Sequence, residues 1–308
     1  GLTILCIILL ILTPFAFTNR YYLGIFITAM IYSIYAASWD FLTGFLGQAS
    51  FGHSIFWGVA GYGYAFFVYY MSFPWWIALI IGPLIAVLFG VLIGAPVLRL
   101  KGPYLALATL AFSLILFTLF SMGNLKDIFW GSEGISGYPP ISSNISIIYY
   151  IILGLFIICF ILMIAIGRSN LGTIFKSIRD DDIGAKASGI NLTKYKIIGF
   201  MISALFAGVA GSLMALYNRG VNPSGAYGSL QSFYAIIMAS IGGVGTITGS
   251  ALGAFLFICL GELLRDFAQY ALLIFSIIFI LIVRFADEGI LKPVVENLKD
   301  LWDLVVGK

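Results

Sequence analysis

Long apolar runs alternate with short polar connections along most of this chain. A bilayer core about 30 Å thick is crossed by about 20 apolar residues of α-helix at 1.5 Å per residue. The pattern therefore predicts an all-α polytopic membrane protein with about ten transmembrane helices. The expected spans are residues 2–17, 22–41, 54–70, 75–98, 104–122, 145–166, 197–217, 229–247, 250–264 and 267–283.

Composition supports the same class of protein. Of the 308 residues, 61% are hydrophobic and 9% are charged, whereas about a quarter of an ordinary soluble domain is charged. The first apolar run lacks a basic leading region and a small-residue cleavage site, so we expect a span there rather than a signal peptide. Cys6, Cys159 and Cys259 lie singly in separate apolar runs and are interpreted as packing residues.

The placement of basic residues predicts the orientation. If residues 168–196 are cytoplasmic and ten helices span, twelve of the sixteen Lys and Arg residues lie on the cytoplasmic side: six in this stretch, two at Arg99 and Lys101, and four after residue 283. The positive-inside rule then predicts that both termini are cytoplasmic. The outer side keeps only Arg20, Lys126, Arg219 and Arg265.

Charged residues concentrate in two islands. The second, in the tail, has apolar residues near helical spacing with charges between them. This pattern divides the chain into a transmembrane domain of residues 1–284 and an amphipathic cytoplasmic tail of residues 285–308. A helix lying on the bilayer surface and a contact with a partner protein are both compatible with the tail.

The first island, residues 168–196, is named the charged island below. Ile174, Ile178, Ile183 and Ala187 are spaced to form one apolar edge of a short helix that ends at Ser188 and Gly189. A solvated loop helix and a docking helix for a cytoplasmic protein both fit. In the docking interpretation, Arg179 and the three acids Asp180, Asp181 and Asp182 set the register by charge complementarity.

Two glycine-rich segments interrupt the apolar runs. Glycine segment 1, residues 44–63, reads "GFLGQASFGHSIFWGVAGYG" and contains Gln48, Ser50 and His53, the single histidine of the chain. Glycine segment 2, residues 239–257, contains Thr246, Thr248 and Ser250. Gly44, Gly47 and Gly52 in the first segment are spaced nearly as Gly242, Gly245 and Gly249 are in the second.

Paired interruptions in the two halves of a membrane protein are typical of translocation paths, because non-helical backbone at bilayer depth needs protein or water around it. Tight helix packing through glycine is the alternative, and "AGVAGSL" at residues 207–213 fits that alternative. We expect the two segments to be broken-helix elements that line or support a path. The candidate residues are Gly44, Gly47, Gln48, Ser50, Gly52 and His53, with Gly243, Gly245, Thr246 and Gly249.

Signs of a reaction centre are missing from the sequence. It contains no H-E-x-x-H, no G-x-S-x-G, no phosphate loop and no cluster of metal ligands. We therefore expect a protein that is not an enzyme, has no metal site and relies on another chain for any use of ATP. Asp40 and Glu262 are ionisable groups in apolar runs, and Arg265 is spaced to pair with Glu262.

Several motifs together resemble the permease subunits of branched-chain amino-acid ABC importers, of the LivM type. They are "GQASFGHSIFWGVAGY", "LKGPYLALATLAF", "GSEGISGYPP", "SIRDDDIGAKASGIN" and "SALFAGVAGSLMA", in this order between about residues 22 and 265. The resemblance implies import of small amino acids, most often branched-chain ones, by alternating access, although urea and short amides are also carried in this family.

The resemblance further implies partners: a second permease of the LivH type, two cytoplasmic ATPases that bind ATP and Mg²⁺, and an extracytoplasmic substrate-binding protein, in a prokaryotic plasma membrane. The resemblance implies that the charged island is the coupling loop that contacts an ATPase, with Ala185 and Gly189 in the places of the Ala and the Gly of that loop. A self-sufficient secondary transporter or channel is the competing interpretation, and would predict intramembrane charge pairs and no cytoplasmic partner.

Overall fold

The computed structural model describes residues 9–15, 19–97, 100, 102–122, 126–265, 270, 273–274, 276–277, 280 and 284. Residues 9–15 are helical, so only this part of the first expected span is described. Most of the last expected span, the tail at 285–308, Arg99, Lys101 and Cys6 lie outside the described residues.

The described chain is almost entirely helical. The helices are α1 Arg20–Asp40, α2 Ser54–Tyr69, α3 Trp75–Val97, α4 Pro103–Ser121, α5 Lys126–Phe129, α6 Ile145–Arg168, α7 Asn170–Asp180, α8 Asp182–Ala187, α9 Leu192–Asn218, α10 Pro223–Tyr227, α11 Ser229–Gly242 and α12 Ile247–Leu263. A π-helical turn, Phe41–Phe45, extends α1. The strands β1, Ile135–Ser136, and β2, Gly220–Val221, form one short antiparallel pair.

Five of these helices are long and apolar enough to cross a membrane: α1 with its π turn, α3, α4, α6 and α9. The sequence predicted spans at each of these places, to within a few residues at most ends. The helix expected at 54–70 is present as α2, but its 16 residues are fewer than a full span needs. The chain is thus an all-α, multi-pass membrane protein, with five or six candidate spans among the described residues.

The structure differs from the sequence prediction after residue 228. Instead of two separate spans at 229–247 and 250–264, α11 and α12 form one pair bent by 112°. Helix α11 ends because Gly243 and Gly245 adopt positive φ values of 101° and 85°. The two helices then cross so closely that a Cβ on Gly249 would collide with the backbone carbonyl of Gly242.

The two ends of the bundle differ in character. The charged island packs on the carboxyl end of α1, where Phe175 meets Phe41 edge to face at 5.7 Å; this is called the charged end. Helix α9 runs about 40 Å from the charged end to the opposite end. Three of the basic residues predicted to lie outside are at that opposite end, since Arg265 bonds Tyr21 next to Arg20 and Arg219 bonds Tyr138.

The charged island forms two helices, which corrects the prediction of one helix over 174–187. Asp181 is extended, with φ −154°, and its side chain caps α8 by accepting from the amide of Ile183 at 2.9 Å. The predicted end is confirmed, because α8 stops at Ala187 and Gly189 has a φ of 84°. Phe175 and Ile178 are buried, which fastens α7 to the bundle.

Helix α9 lies at the centre of the bundle. Its buried face is rich in small residues, which lets α2 and α3 approach its backbone closely. A Cβ on Gly211 would meet the backbone of Trp57 in α2, and one on Gly208 would press on Pro83 in α3. This agrees with the packing interpretation of the "AGVAGSL" stretch.

Candidate functional site

The two glycine segments meet at the carboxyl end of α1. The backbone amide of Gly245 donates a hydrogen bond of 2.6 Å to Oδ1 of Asp40, whose side chain is fully buried. Gly245 immediately precedes Thr246, the cap residue of α12. The carboxyl group thus lies beside the amino end of a helix, where the helix dipole favours negative charge. The other oxygen, Oδ2, has no partner among the described residues.

Gly44 makes this meeting possible. It lies in the π turn one helical turn after Asp40, directly against the second glycine segment. A Cβ on Gly44 would collide with the amide of Gly245 and with the carboxyl group of Asp40. Only glycine permits the two backbones to approach this closely.

The charged island reaches the same point through Arg179. Its Nη1 donates a hydrogen bond of 2.8 Å to the backbone carbonyl of Gly44. The same guanidinium holds the neighbouring Asp180, with Nε and Nη2 both 2.9 Å from Oδ1. One arginine therefore connects the island to glycine segment 1, which in turn contacts glycine segment 2. These residues, Asp40, Gly44, Arg179 and Gly245, are called the glycine junction below.

A cavity of about 290 Å³ opens beside the glycine junction at the charged end. Its lining includes Gly47, Gln48, Arg179, Asp182 and Lys196. Gly47 has a positive φ of 71°, and a Cβ there would lie 3.0 Å from Cγ of Arg179. Gln48 is 8% exposed, and its side-chain amide donates a long bond of 3.4 Å to the carbonyl of Leu46.

A partly buried ion pair holds the island against α9. Nζ of Lys196 lies 2.7 Å from Oδ2 of Asp182, and the lysine side chain is 9% exposed. Removing water from a charge is costly unless the opposite charge accompanies it. Each member of the pair therefore depends on the other, and the pair fixes α8 relative to α9.

The remainder of glycine segment 1 is buried against α1 and α4. The indole Nε1 of Trp39 donates to the carbonyl of Ser50 at 2.7 Å. The amide of Phe51 donates to Oγ1 of Thr109 at 3.0 Å, and Gly52 lies against the backbone of Thr109. The chain thus folds back along α1 after the π turn, so this part of the segment is a tightly packed reversal between α1 and α2.

His53 lies in a closed, largely aromatic environment. The residue is fully buried, and its Nε2 is 2.9 Å from the hydroxyl of Ser38. That hydroxyl donates to the carbonyl of Tyr35, so it accepts the proton of Nε2. Nδ1 has no hydrogen-bond partner among the residues that the structure describes, and the ring centroids of Tyr35 and Phe56 lie 5.2 and 5.6 Å from that of the imidazole. The geometry supports a packing role for His53.

Four candidates lie in glycine segment 2. Gly245 belongs to the glycine junction, and Gly243, Thr246 and Gly249 shape the turn between α11 and α12. The hydroxyl of Thr246 donates to the carbonyl of Gly243 at 2.6 Å, which closes the turn. Gly249 provides the helix crossing described above.

The residues expected to contact an ATPase divide into two groups. Asp180, Asp181 and Gly189 are exposed, whereas Ala185 is buried at 6% exposure and packs inward. On α8, the large apolar side chain exposed is Ile183, at 77%. Ala185 thus anchors α8 to the bundle, whereas Ile183 is an apolar residue that this helix exposes.

The structure adds groups that sequence reasoning did not select. The hydroxyls of Ser54, Ser113 and Ser232 form a buried cluster, with Ser54 2.7 Å from Ser113 and 2.9 Å from Ser232. The three lie on α2, α4 and α11, so their spacing along the chain does not indicate that they meet. In the described part of the chain, no three His, Cys, Asp or Glu side chains gather into a metal-binding group.

Comparison with known proteins identifies relatives of the chain. A family model described as branched-chain amino acid transport system, permease component, matches residues 21–283. The high-affinity branched-chain amino acid transport system permease protein LivM of Salmonella typhimurium is 28% identical over 88% of this chain and 70% of its own length.

Two further relatives extend the comparison. A probable branched-chain amino acid transport permease protein LivM of Methanocaldococcus jannaschii is 24% identical, over 70% of each chain. The permease protein LivH of Escherichia coli is 28% identical over 56% of this chain and 57% of its own. No solved structure shows a significant match.

Proposed function

The chain belongs to the family of permease components of branched-chain amino acid transport systems, and we propose that it forms one membrane subunit of an ATP-driven importer of small amino acids. It is a permease and not an enzyme. Branched-chain amino acids are the proposed cargo, because the relatives with the greatest coverage are named for them.

The hydrogen bond from Arg179 to the carbonyl of Gly44 carries the mechanistic part of this proposal. It joins the cytoplasmic coupling element, residues 168–196, to the point where glycine segment 1 touches glycine segment 2. A displacement of α7 and α8 would therefore act directly on the ends of α1 and α12.

In the proposed cycle, ATP binding closes a pair of ATPase subunits and moves the charged island. The ion pair between Asp182 and Lys196 makes α8 and the start of α9 move together. Arg179 transmits the movement to Gly44, and the Asp40 to Gly245 hydrogen bond transmits it to the bent pair of α11 and α12. A partner shifts such an equilibrium only by binding its two states differently, so the ATPase must contact the island differently in each.

We also propose the arrangement of the complex. The charged end faces the cytoplasm, both termini are cytoplasmic, and about ten helices span a prokaryotic plasma membrane. The partners are a related permease, two ATPases carrying ATP and Mg²⁺, and an extracytoplasmic binding protein. The similarity of this chain to both LivM and LivH proteins supports a partner of the same fold.

The test is transport by the complex purified through a tag on this chain and reconstituted in liposomes. Radiolabelled leucine should accumulate with ATP on the cytoplasmic side, and ADP in place of ATP should abolish accumulation. Full uptake driven by an ion gradient without nucleotide would contradict the proposal and favour a secondary transporter. ATP-driven uptake of urea or acetamide, without uptake of leucine, would support the proposed mechanism and contradict the proposed cargo.

A further inference from the structure

Helices α1 and α12 are held together at both ends and between them. The glycine junction joins them at the charged end. Farther along, the hydroxyl of Ser33 donates to the carbonyl of Ala251 at 3.0 Å. At the opposite end, Nη1 of Arg265 donates to the hydroxyl of Tyr21 at 2.6 Å. The two helices therefore run side by side and in opposite directions over most of their length.

A groove of about 510 Å³ opens between the last two of these contacts. Residues between positions 20 and 32 of α1 and between positions 257 and 262 of α12 line it, together with Tyr217 of α9 and Tyr234 of α11. It is called the α1–α12 groove below. Helix α1 and the bent pair that contains α12 are both candidate membrane spans, so the groove lies between membrane helices.

The groove extends over about the depth of one lipid leaflet. Arg20 and Tyr32 are the first and last residues of α1 in its lining, and they lie about 18 Å apart along the helix. One leaflet contributes about 15 Å to a hydrocarbon core about 30 Å thick. Leu256 and Leu263 of α12 are 47% and 78% exposed, as expected of a helix that borders lipid. An acyl chain entering at the helix ends could lie along the whole groove.

The described lining is charged only at the helix ends. Ile25, Phe257 and Ile258 provide apolar surface within the groove. Arg20 and Glu262 are the charged residues of the lining, and they lie where α1 begins and where α12 ends. This order matches a phospholipid, whose headgroup lies at the membrane interface and whose acyl chains lie in the hydrocarbon core.

The rim of the groove carries one positive charge without a counter-charge. Arg265 pairs with Glu262 at 3.6 Å, and its guanidinium lies 5.3 Å from the ring centroid of Tyr21. Arg20 is exposed and takes part in no salt bridge in the described part of the chain. Arginine binds phosphate oxygens in a bidentate way, and basic residues at the ends of membrane helices attract anionic lipids.

The same rim disfavours a zwitterionic headgroup. Such a headgroup brings an ammonium group as well as a phosphate, and the ammonium group needs a carboxylate of its own. The one carboxylate of the described lining, that of Glu262, is already engaged by Arg265. A headgroup with a single negative charge would neutralise Arg20 and leave this pair intact.

We infer that the α1–α12 groove holds an anionic phospholipid, with its phosphate on Arg20 and one acyl chain lying along the groove as far as Tyr32. The lipid occupies the space between α1 and α12 on the opposite-end side of Ser33. It thereby braces two helices whose other ends meet in the glycine junction. The inference goes beyond the proposed function and does not depend on the cargo.

Photocrosslinking in the purified complete complex tests this inference. A phosphatidylglycerol with a diazirine near the end of one acyl chain is added in detergent, and the labelled peptides of this chain are identified by mass spectrometry. Label should concentrate on the parts of α1 and α12 that line the groove. Unlabelled phosphatidylglycerol should compete, and phosphatidylethanolamine should need about a tenfold higher concentration. Glycerol 3-phosphate, which has no acyl chain, should not compete.

Variants of the groove separate the headgroup contact from the acyl-chain contact. Arg20→Ala should raise the phosphatidylglycerol concentration needed for labelling about tenfold, and Arg20→Lys should recover part of the loss because the charge remains. Thr28→Phe partly fills the groove between Arg20 and Tyr32 and should reduce labelling with Arg20 still present. Lys126→Ala is the matched control, because Lys126 is another exposed basic residue and lies outside the groove.

Equal competition by the two phospholipids, or unchanged labelling of Arg20→Ala, would overturn the inference and indicate unspecific contact with lipid. Competition by glycerol 3-phosphate would overturn the assignment to a lipid. Labelling of the groove in the isolated chain but not in the complete complex would show that a partner protein covers it. ATP-driven leucine uptake is measured separately, so each of these outcomes leaves the proposed function standing.

Discussion

The guanidinium of Arg179 bonds the carbonyl of Gly44 at 2.8 Å across 135 positions of sequence. Gly44 is also the residue that lets glycine segment 1 touch Gly245. Helix α7 of the charged island and the two glycine segments therefore share one contact point. This arrangement makes the glycine junction the physical link in the proposed transport cycle.

Gly44→Ala should damage the glycine junction. The added Cβ collides with the Gly245 amide and the Asp40 carboxyl group, and overpacking of this kind destabilises proteins by about 1–3 kcal/mol. We expect a lower melting temperature of the purified protein and a loss of leucine uptake. Gly154→Ala is the control, since a Cβ there meets no atom within 4 Å. Normal uptake by Gly44→Ala would contradict the close approach described here.

Asp182→Ala should destabilise the charged island. It leaves the Lys196 ammonium group, whose side chain is 9% exposed, without its counter-charge, and the loss of a hydrogen bond between charged groups removes about 1.5–3 kcal/mol of stability. Thermal unfolding measures the effect. The double variant Asp182→Ala with Lys196→Met should recover much of the loss, because no buried charge then remains unpaired. Equal destabilisation in the single and double variants would show that the ion pair is not the cause.

Ile183→Asp should weaken binding of the ATPase without unfolding the chain. Ile183 is 77% exposed, so the substitution disturbs no internal packing. A charge in a desolvated apolar contact is expected to weaken association at least about tenfold. Retention of ATPase subunits during purification measures this. Thr193→Asp places the same charge at another exposed position of the charged end and should retain them. Equal retention of the ATPase subunits by both variants would show that Ile183 is not part of the docking surface.

His53→Ala should reduce stability more than transport. The imidazole is fully buried, and its loss leaves a cavity and removes the bond to Ser38. We expect less folded protein and a lower melting temperature, with uptake per folded molecule close to that of the wild type. A stable variant with much slower uptake would indicate instead that His53 lines or supports the transport path.

Local pattern was sufficient to predict much of the fold. Helices at Arg20–Asp40, Pro103–Ser121 and Ile145–Arg168 agree closely with the predicted spans because each is a long apolar run between polar connections. Glu262 and Arg265 form the predicted pair at 3.6 Å because their spacing places them on one helix face.

Relationships between distant segments were not accessible from the sequence. Glycine and polar content marked both segments, but their meeting at Gly44 and Gly245 depends on how α1 and α12 pack. The split of the charged island at Asp181 is different, because it is set by a local capping bond to the amide of Ile183, and the run of three Asp residues left open which of them would cap a helix. The inward position of Ala185 follows from the way α8 is held against α9.

The coupling ratio of an Arg179→Ala complex tests the central claim most directly. Leucine transported and ATP hydrolysed are measured in the same liposomes. Asp180→Ala is the control, because it removes the exposed partner of Arg179 and leaves the guanidinium that bonds Gly44 in place.

We predict that Arg179→Ala retains ATP hydrolysis and loses about tenfold or more of the leucine transported per ATP, as expected for losing a charge-assisted hydrogen bond of about 1.5–3 kcal/mol. Asp180→Ala should keep the wild-type ratio. An unchanged ratio in a stable, ATP-hydrolysing Arg179→Ala complex would contradict the claim that the charged island drives transport through the glycine junction.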